Sequence, residues 1–143
     1  MIVAIGCDHG GFELKQELIA HLLKKGYDIE DMGCNSTASC DYPEYGRAVA
    51  EAVAAGKAER GILICGTGIG MSITANKVTG VRAALCGDCF SAQATREHND
   101  SNVLCMGARV TGPGLALKIA DIWLETPFSN DERHIRRINK IEG

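Results

Sequence analysis

The sequence predicts an α/β protein, a three-layer α/β/α sandwich built on a five-stranded parallel sheet. Short runs that are apolar throughout alternate along the chain with longer stretches whose apolar residues recur at helical spacing. Strands that are apolar throughout are buried on both faces, which calls for helices above and below them. Strict alternation of strand and helix in turn implies parallel strands joined by right-handed crossovers. Composition agrees. The 143 residues suffice for one domain spanning residues 1–143, and 17 glycines against 3 prolines and 5% aromatics indicate tight turns rather than a large aromatic core.

Ile2 to Ile5 form the first apolar run, and Phe12, Leu14, Leu18, Ile19, Leu22 and Leu23 mark a helix from about Gly11 to Lys25. Tyr27 to Met32 is the second strand. After the polar loop Asn35 to Ser39, Pro43 suits the first turn of a helix whose Ala48, Val49, Ala52 and Val53 make one apolar face before Gly56 ends it. Ile62 to Cys65 is the third strand, followed by a short helix from Ile69 that fades by Lys77. Val81 to Leu85 and Val103 to Met106 are the fourth and fifth strands, with a helix from about Ser91 to His98 between them. Gly112 to Leu124 is helical, carrying Leu115, Leu117, Ile119, Ile122 and Trp123. A last helix, from about Asn130 to Ile141, shows Ile135, Ile138 and Ile141 three apart; its stripe packs either on a partner subunit or on its own sheet.

A net charge of −3 and the absence of a basic run argue against a nucleic-acid binder. No apolar run approaches the ~18 residues of a membrane span, and the opening MIVAIGCDHGG lacks the basic n-region and cleavage site of a signal peptide. Seven cysteines, an odd number scattered through apolar runs, read as reduced thiols in a cytoplasmic protein.

Ligands of open parallel sheets bind beyond the strands' carboxyl ends, and three such ends carry reactive residues. They are Cys7-Asp8-His9-Gly10-Gly11, Cys65-Gly66-Thr67-Gly68-Ile69-Gly70-Met71-Ser72 and Gly107-Ala108-Arg109. Alternate glycines between a strand and a helix let backbone N–H groups converge on an anion, assisted by the helix dipole. Met71 stands where the dinucleotide fingerprint needs glycine, and no Gly-Lys-Ser/Thr follows for a nucleotide phosphate. Asp88, near the distance expected of a ribose-binding acid, keeps a nicotinamide reading open, and a purely structural glycine turn is the other alternative. Cys65 abuts this loop, where a thiol shifts toward thiolate and can serve as base or nucleophile; otherwise it is a small buried hydrophobe.

Cys86-Gly87-Asp88-Cys89 is a lone C-x-x-C pair with no second pair to complete a zinc site. His9 and His98 sit in the polar clusters Asp8-His9-Gly10-Gly11 and Glu97-His98-Asn99-Asp100, suited to moving protons between oxygens or to capping a helix. His21 and His134 read as surface residues. His9, His98 and Asp8 match no recognised ligand spacing, so acid/base work ranks above a metal site. Arg133 and Arg137, one helical turn apart, and Arg109 at a strand end can clamp a phosphate, or else form a solvated basic face with Arg136 and Lys140.

Five ordered segments, Gly6-Cys7-Asp8-His9-Gly10-Gly11, Asp41-Tyr42-Pro43, Ile64 to Ser72, Arg96-Glu97-His98-Asn99-Asp100 and Arg133-His134-x-x-Arg137, resemble the ribose-5-phosphate isomerase B family. The similarity spans essentially the whole chain. It implies a Rossmann-like sandwich and a homodimer, in some members paired into tetramers, whose active sites lie between subunits and interconvert ribose 5-phosphate and ribulose 5-phosphate without metal or other cofactor. It further implies that Cys65 moves the proton between C1 and C2 while Thr67 assists transfer between O1 and O2. Gly66, Gly68, Gly70 and Ser72 belong to the segment that holds the enediolate. By the same resemblance His98 opens the furanose ring with Asp8 nearby, Tyr42 and Asn99 contact the sugar, and His9, Arg109, Arg133 and Arg137 bind the phosphate. Some of these come from the neighbouring subunit, consistent with a C-terminal helix extending to it. Sister galactose-6-phosphate isomerases share the glycine loop but lack the His98-Asn99 pair, which favours the pentose over six-carbon aldose phosphates such as allose 6-phosphate. The alternative of another class is a non-catalytic sugar-phosphate-binding module.

Overall fold

The computed structural model describes residues 1–143. Strand β1 (Ile2–Cys7) leads through a short 3-10 turn to α1 (Phe12–Lys24), then β2 (Asp28–Asp31), α2 (Tyr42–Ala54), β3 (Arg60–Cys65) and α3 (Ile69–Ala75). The chain continues through β4 (Ala83–Leu85), α4 (Cys89–Asn99), β5 (Val103–Gly107), α5 (Pro113–Glu125) and α6 (Glu132–Glu142). All strands pair in parallel, in the order β2-β1-β3-β5-β4.

The expected three layers follow from the alternation of side chains along each strand. Ile62 and Ile64 of β3 join Leu14, Leu18 and Leu22 of α1 with Ile119 and Trp123 of α5 in one core. Leu63 and Cys65 point the other way, into a smaller core with Val49 and Val53 of α2 and Met71 and Ala75 of α3. The three central strands are buried throughout, save for their first residues in β1 and β3.

The two edge strands depart from the expectation. β2 is shorter than the predicted Tyr27 to Met32 and mostly exposed, because an edge strand has a single ladder partner. β4 begins at Ala83 rather than Val81, since the Val81 N–H turns back to donate to Val78 O at 3.1 Å while its side chain fills the α2/α3 core.

The last helix starts at Glu132 because the Asp131 carboxylate accepts the Arg133 N–H at 2.8 Å and caps it. It covers neither sheet face. Ser129 Oγ donates to Glu97 O at 2.7 Å and Arg82 pairs with Glu142 at 2.7 Å, which seat α6 against the end of α4 with Ile135 and Ile141 40% and 64% exposed. That end lies level with the start of the strands, for Gly61 N–H donates to Asn102 O at 2.9 Å and Arg82 Nε to Asn99 O at 2.9 Å. Four residues at about 3.3 Å each carry β3 from Gly61 to Cys65, so the two ends of the sheet stand about 13 Å apart. No helix is long and apolar enough to cross a membrane.

Candidate active site

β1 feeds α1 on one face of the sheet and β3 feeds α3 on the other, so their carboxyl ends part around a crevice. Cys65, the last residue of β3, is 4% exposed, and its carbonyl accepts the Ala108 N–H at 2.9 Å. Its Sγ accepts the N–H of Gly68 at 3.0 Å. The thiol therefore sits beneath the glycine loop rather than at an open mouth, flanked by the α2/α3 core and tied to the loop through one amide. An N–H aimed at a sulfur favours negative charge on it. Burial pushes the Cys7 and Cys86 thiols up to about 12 and about 11, and Cys105 higher still.

The loop can adopt its path only with glycine at two points. Gly68 has φ +81°, and a Cβ there would stand 2.5 Å from Leu85 Cδ1 and 2.8 Å from the Met106 carbonyl carbon. A Cβ on Gly70 would meet the Tyr42 ring, 2.6 Å from Cζ, which shows how closely Tyr42 lies over the loop. Thr67 Oγ1 accepts the Ile69 N–H at 3.2 Å, leaving its hydroxyl hydrogen to donate elsewhere. The N–H groups of Gly66, Thr67 and Gly70 have no protein acceptor. Ser72, half-buried one turn on, donates its N–H to Gly68 O at 3.1 Å.

Across the crevice, the buried Asp8 carboxylate accepts the Gly10 and Gly11 N–H groups at 2.9 and 3.2 Å and so shapes the turn that presents His9. His9 Nδ1 accepts the Cys40 N–H at 3.3 Å, which leaves Nε2 as the protonated, donating nitrogen. Arg109 lies against the loop, its Nη1 3.7 Å from where a Cβ on Gly66 would be. A cavity of about 200 Å³ opens among Gly10, Ala108, Arg109 and Thr111, and one of about 300 Å³ flanks Thr67, Leu85, Gly107 and Val110.

The remaining predicted residues are elsewhere. His98 and Asn99 close α4 at the amino end of the strands, with Arg133 and Arg137 on the adjoining α6. Asp8, His9, Tyr42, Cys65, Thr67, the glycine loop, Ser72 and Arg109 thus share one end of the sheet, and His98 is not beside Asp8 within a single chain. His134 corrects the sequence reading: it is not a surface residue but 8% exposed, packed against His98. Its signal was the four-residue step to Ile138, which places both on one helix face. The Cys40 amide on His9 had no signal at all, because any residue supplies a backbone N–H. No three His, Cys, Asp or Glu side chains group as metal ligands would.

Comparison with known proteins places this geometry. Ribose-5-phosphate isomerase B of Escherichia coli is 50% identical over 139 residues, covering 97% of this chain and 93% of that protein. The galactose-6-phosphate isomerase subunit LacB of Clostridium acetobutylicum is 39% identical over 142 residues, 99% of this chain and 82% of its own length. The solved structure of Clostridium thermocellum ribose-5-phosphate isomerase B superposes with a TM-score of 0.97 at 51% identity, covering 99% of this chain and 95% of that one. Residues 3–141 match the Ribose/Galactose Isomerase family, and the chain belongs to that family of sugar isomerases.

Proposed function

We propose that the chain interconverts D-ribose 5-phosphate and D-ribulose 5-phosphate through a cis-enediolate, acting in the cytoplasm as a homodimer. The observation that carries this is the Gly68 N–H on the Cys65 sulfur inside a loop whose neighbouring amides have no partner. A C–H beside a carbonyl is a weak acid, so a modest base needs its enediolate product stabilised, and one missing oxyanion donor costs about 3 to 4 kcal/mol in other enzymes. Base and loop work as a unit.

The cyclic aldose has no carbonyl, so its ring opens first. His98 of the partner subunit transfers the proton from the anomeric hydroxyl to the ring oxygen. The Cys65 thiolate then removes the C2 proton, and the negative charge passes to O1, facing the amides of Gly66, Thr67 and Gly70. The Thr67 hydroxyl relays the O2 proton to O1. Cys65 returns its proton to C1, which yields the ketose and regenerates the thiolate. Tyr42 and Asn99 of the partner subunit contact the sugar. His9 Nε2–H and Arg109 bind the phosphate together with Arg133 and Arg137 of the partner subunit.

The distance between the two ends of the sheet supports a partner. One chain carries both halves of the site about 13 Å apart, and the exposed Ile135 and Ile141 give α6 an apolar edge on which a second copy can seat. The pentose is preferred to a six-carbon substrate because His98-Asn99 is present.

Incubation in deuterated water with ribose 5-phosphate, allose 6-phosphate and galactose 6-phosphate tests the reading. Ketopentose phosphate with deuterium at C1 supports it. Turnover of a six-carbon phosphate alone moves the substrate assignment, and binding without any ketose leaves a sugar-phosphate-binding module.

A further inference from the structure

His134 has no task in the scheme above, yet two groups of that scheme, His98 and Arg133, meet on it. Its ring stacks on His98 with centroids 4.5 Å apart and planes inclined by 24°. Arg133 Nη2 lies 3.4 Å from His134 Nε2. A guanidinium has only donors, so this nitrogen accepts, and the imidazole is neutral with its proton on Nδ1. The surroundings agree: burial first, then the charges of His98, Arg133 and Arg137, hold His134 below the ordinary histidine range against the opposing pull of Asp131. A charged ring here would face three other cationic groups.

Without this contact His98 and Arg133 would be loosely held. His98 is exposed in the last turn of α4, and the Arg133 side chain is 55% exposed, with a carboxylate oxygen of Asp131 3.9 Å away. Side chains this exposed sample several rotamers, and ordering them at binding costs about 0.5 to 1.5 kcal/mol each. A buried neutral ring that stacks on one and accepts from the other removes part of that freedom beforehand.

We propose that His134 is a positioning residue, a neutral platform that orients the His98 imidazole and the Arg133 guanidinium together toward one sugar phosphate. The proposal rests on the assignment of His98 to ring opening and of Arg133 to the phosphate.

The test compares wild type with His134→Phe, His134→Ala and His98→Ala in steady-state turnover of ribose 5-phosphate, alongside NMR titration of His98. Phenylalanine keeps the platform and loses the acceptor, so KM rises about fivefold while kcat stays within about twofold. Alanine loses both, so KM rises similarly and kcat falls about tenfold, and the His98 ring signals lose their stacking shift. A merely structural residue would lower the melting temperature of both variants without splitting KM from kcat, and that result overturns the proposal. Full activity of His98→Ala would instead remove the ring-opening assignment and the proposal with it. Where His134→Ala does not fold, the KM of His134→Phe decides.

Discussion

The two ends of the sheet hold their functional groups in opposite ways. At the carboxyl end, beside the side chains of His9, Tyr42 and Arg109, the groups around Cys65 are main-chain amides and a sulfur, fixed by hydrogen bonds of 2.9 to 3.0 Å between loops and by glycines with no room for a methyl group. At the amino end they are long side chains on helix surfaces, His98, Asn99, Arg133 and Arg137, steadied by one stacked ring. An oxyanion is stabilised only by donors already in place, whereas a phosphate can be gripped by arginines that adjust to it. Rigid backbone is therefore spent where charge develops, and adaptable side chains where charge is permanent.

The most severe break of this contrast is Cys65→Ala. Removing the proposed base should cost turnover about a thousandfold, within the range of general acid–base catalysis, while calorimetry should still detect ribose 5-phosphate binding. Turnover near wild type would show that the loop acts without its sulfur. The next effect tests whether the halves belong to different copies. Cys65→Ala and His98→Ala, each inactive, are mixed and reassociated; half the dimers are mixed, each with one intact site, so activity returns to about one quarter of wild type. No recovery would place both halves in the same chain's site.

Gly68→Ala measures the rigidity of the cradle. The positive φ and the approach to Leu85 and Met106 predict a stability loss of about 2 to 4 kcal/mol, read as a lower urea midpoint. Arg137→Ala measures the adaptability of the other end: KM rises about tenfold, and kcat and stability hardly change because the side chain is exposed. Equal losses of stability in both variants would erase the distinction.

The same contrast decides what the sequence revealed. Central strands and the glycine loop were legible because apolar runs and alternate glycines record backbone demands directly. β2 and β4 were placed less well, since an edge strand with one partner has a weaker pattern, and Val81 is as apolar in a buried turn as in a strand. The candidate site residues were picked by type, and type says nothing of how the fold divides them between the two ends of the sheet. Nothing in the spacing showed that α4 runs back along the sheet and carries His98 to the end opposite Asp8 within the chain. His134 was missed because its one signal, the four-residue step to Ile138, is outweighed by the charged residues of the same helix.

The smallest expected effect also belongs to the amino end. Burial and neighbouring cations lower the pKa of His134 in the folded chain, while the unfolded chain titrates near the ordinary value of about 6.5. Below about pH 6.5 the unfolded state therefore binds a proton that the folded state refuses, and stability falls as pH drops toward the folded value; above about 6.5 the contribution is complete. The Asp131 cap does not disturb this window. Its carboxyl, held low chiefly by the Arg133 N–H, stays ionised until well below pH 3.8, where its own contribution is lost. Urea midpoints measured from about pH 8 to 5.5 should fall more steeply for wild type than for His134→Phe, which cannot titrate. Gly68→Ala should lower the midpoint alike at every pH, because the strain of a positive φ carries no proton. Parallel slopes for wild type and His134→Phe would mean that His134 takes up its proton equally in the folded and unfolded chains, so that the fold does not favour the neutral ring that accepts from Arg133.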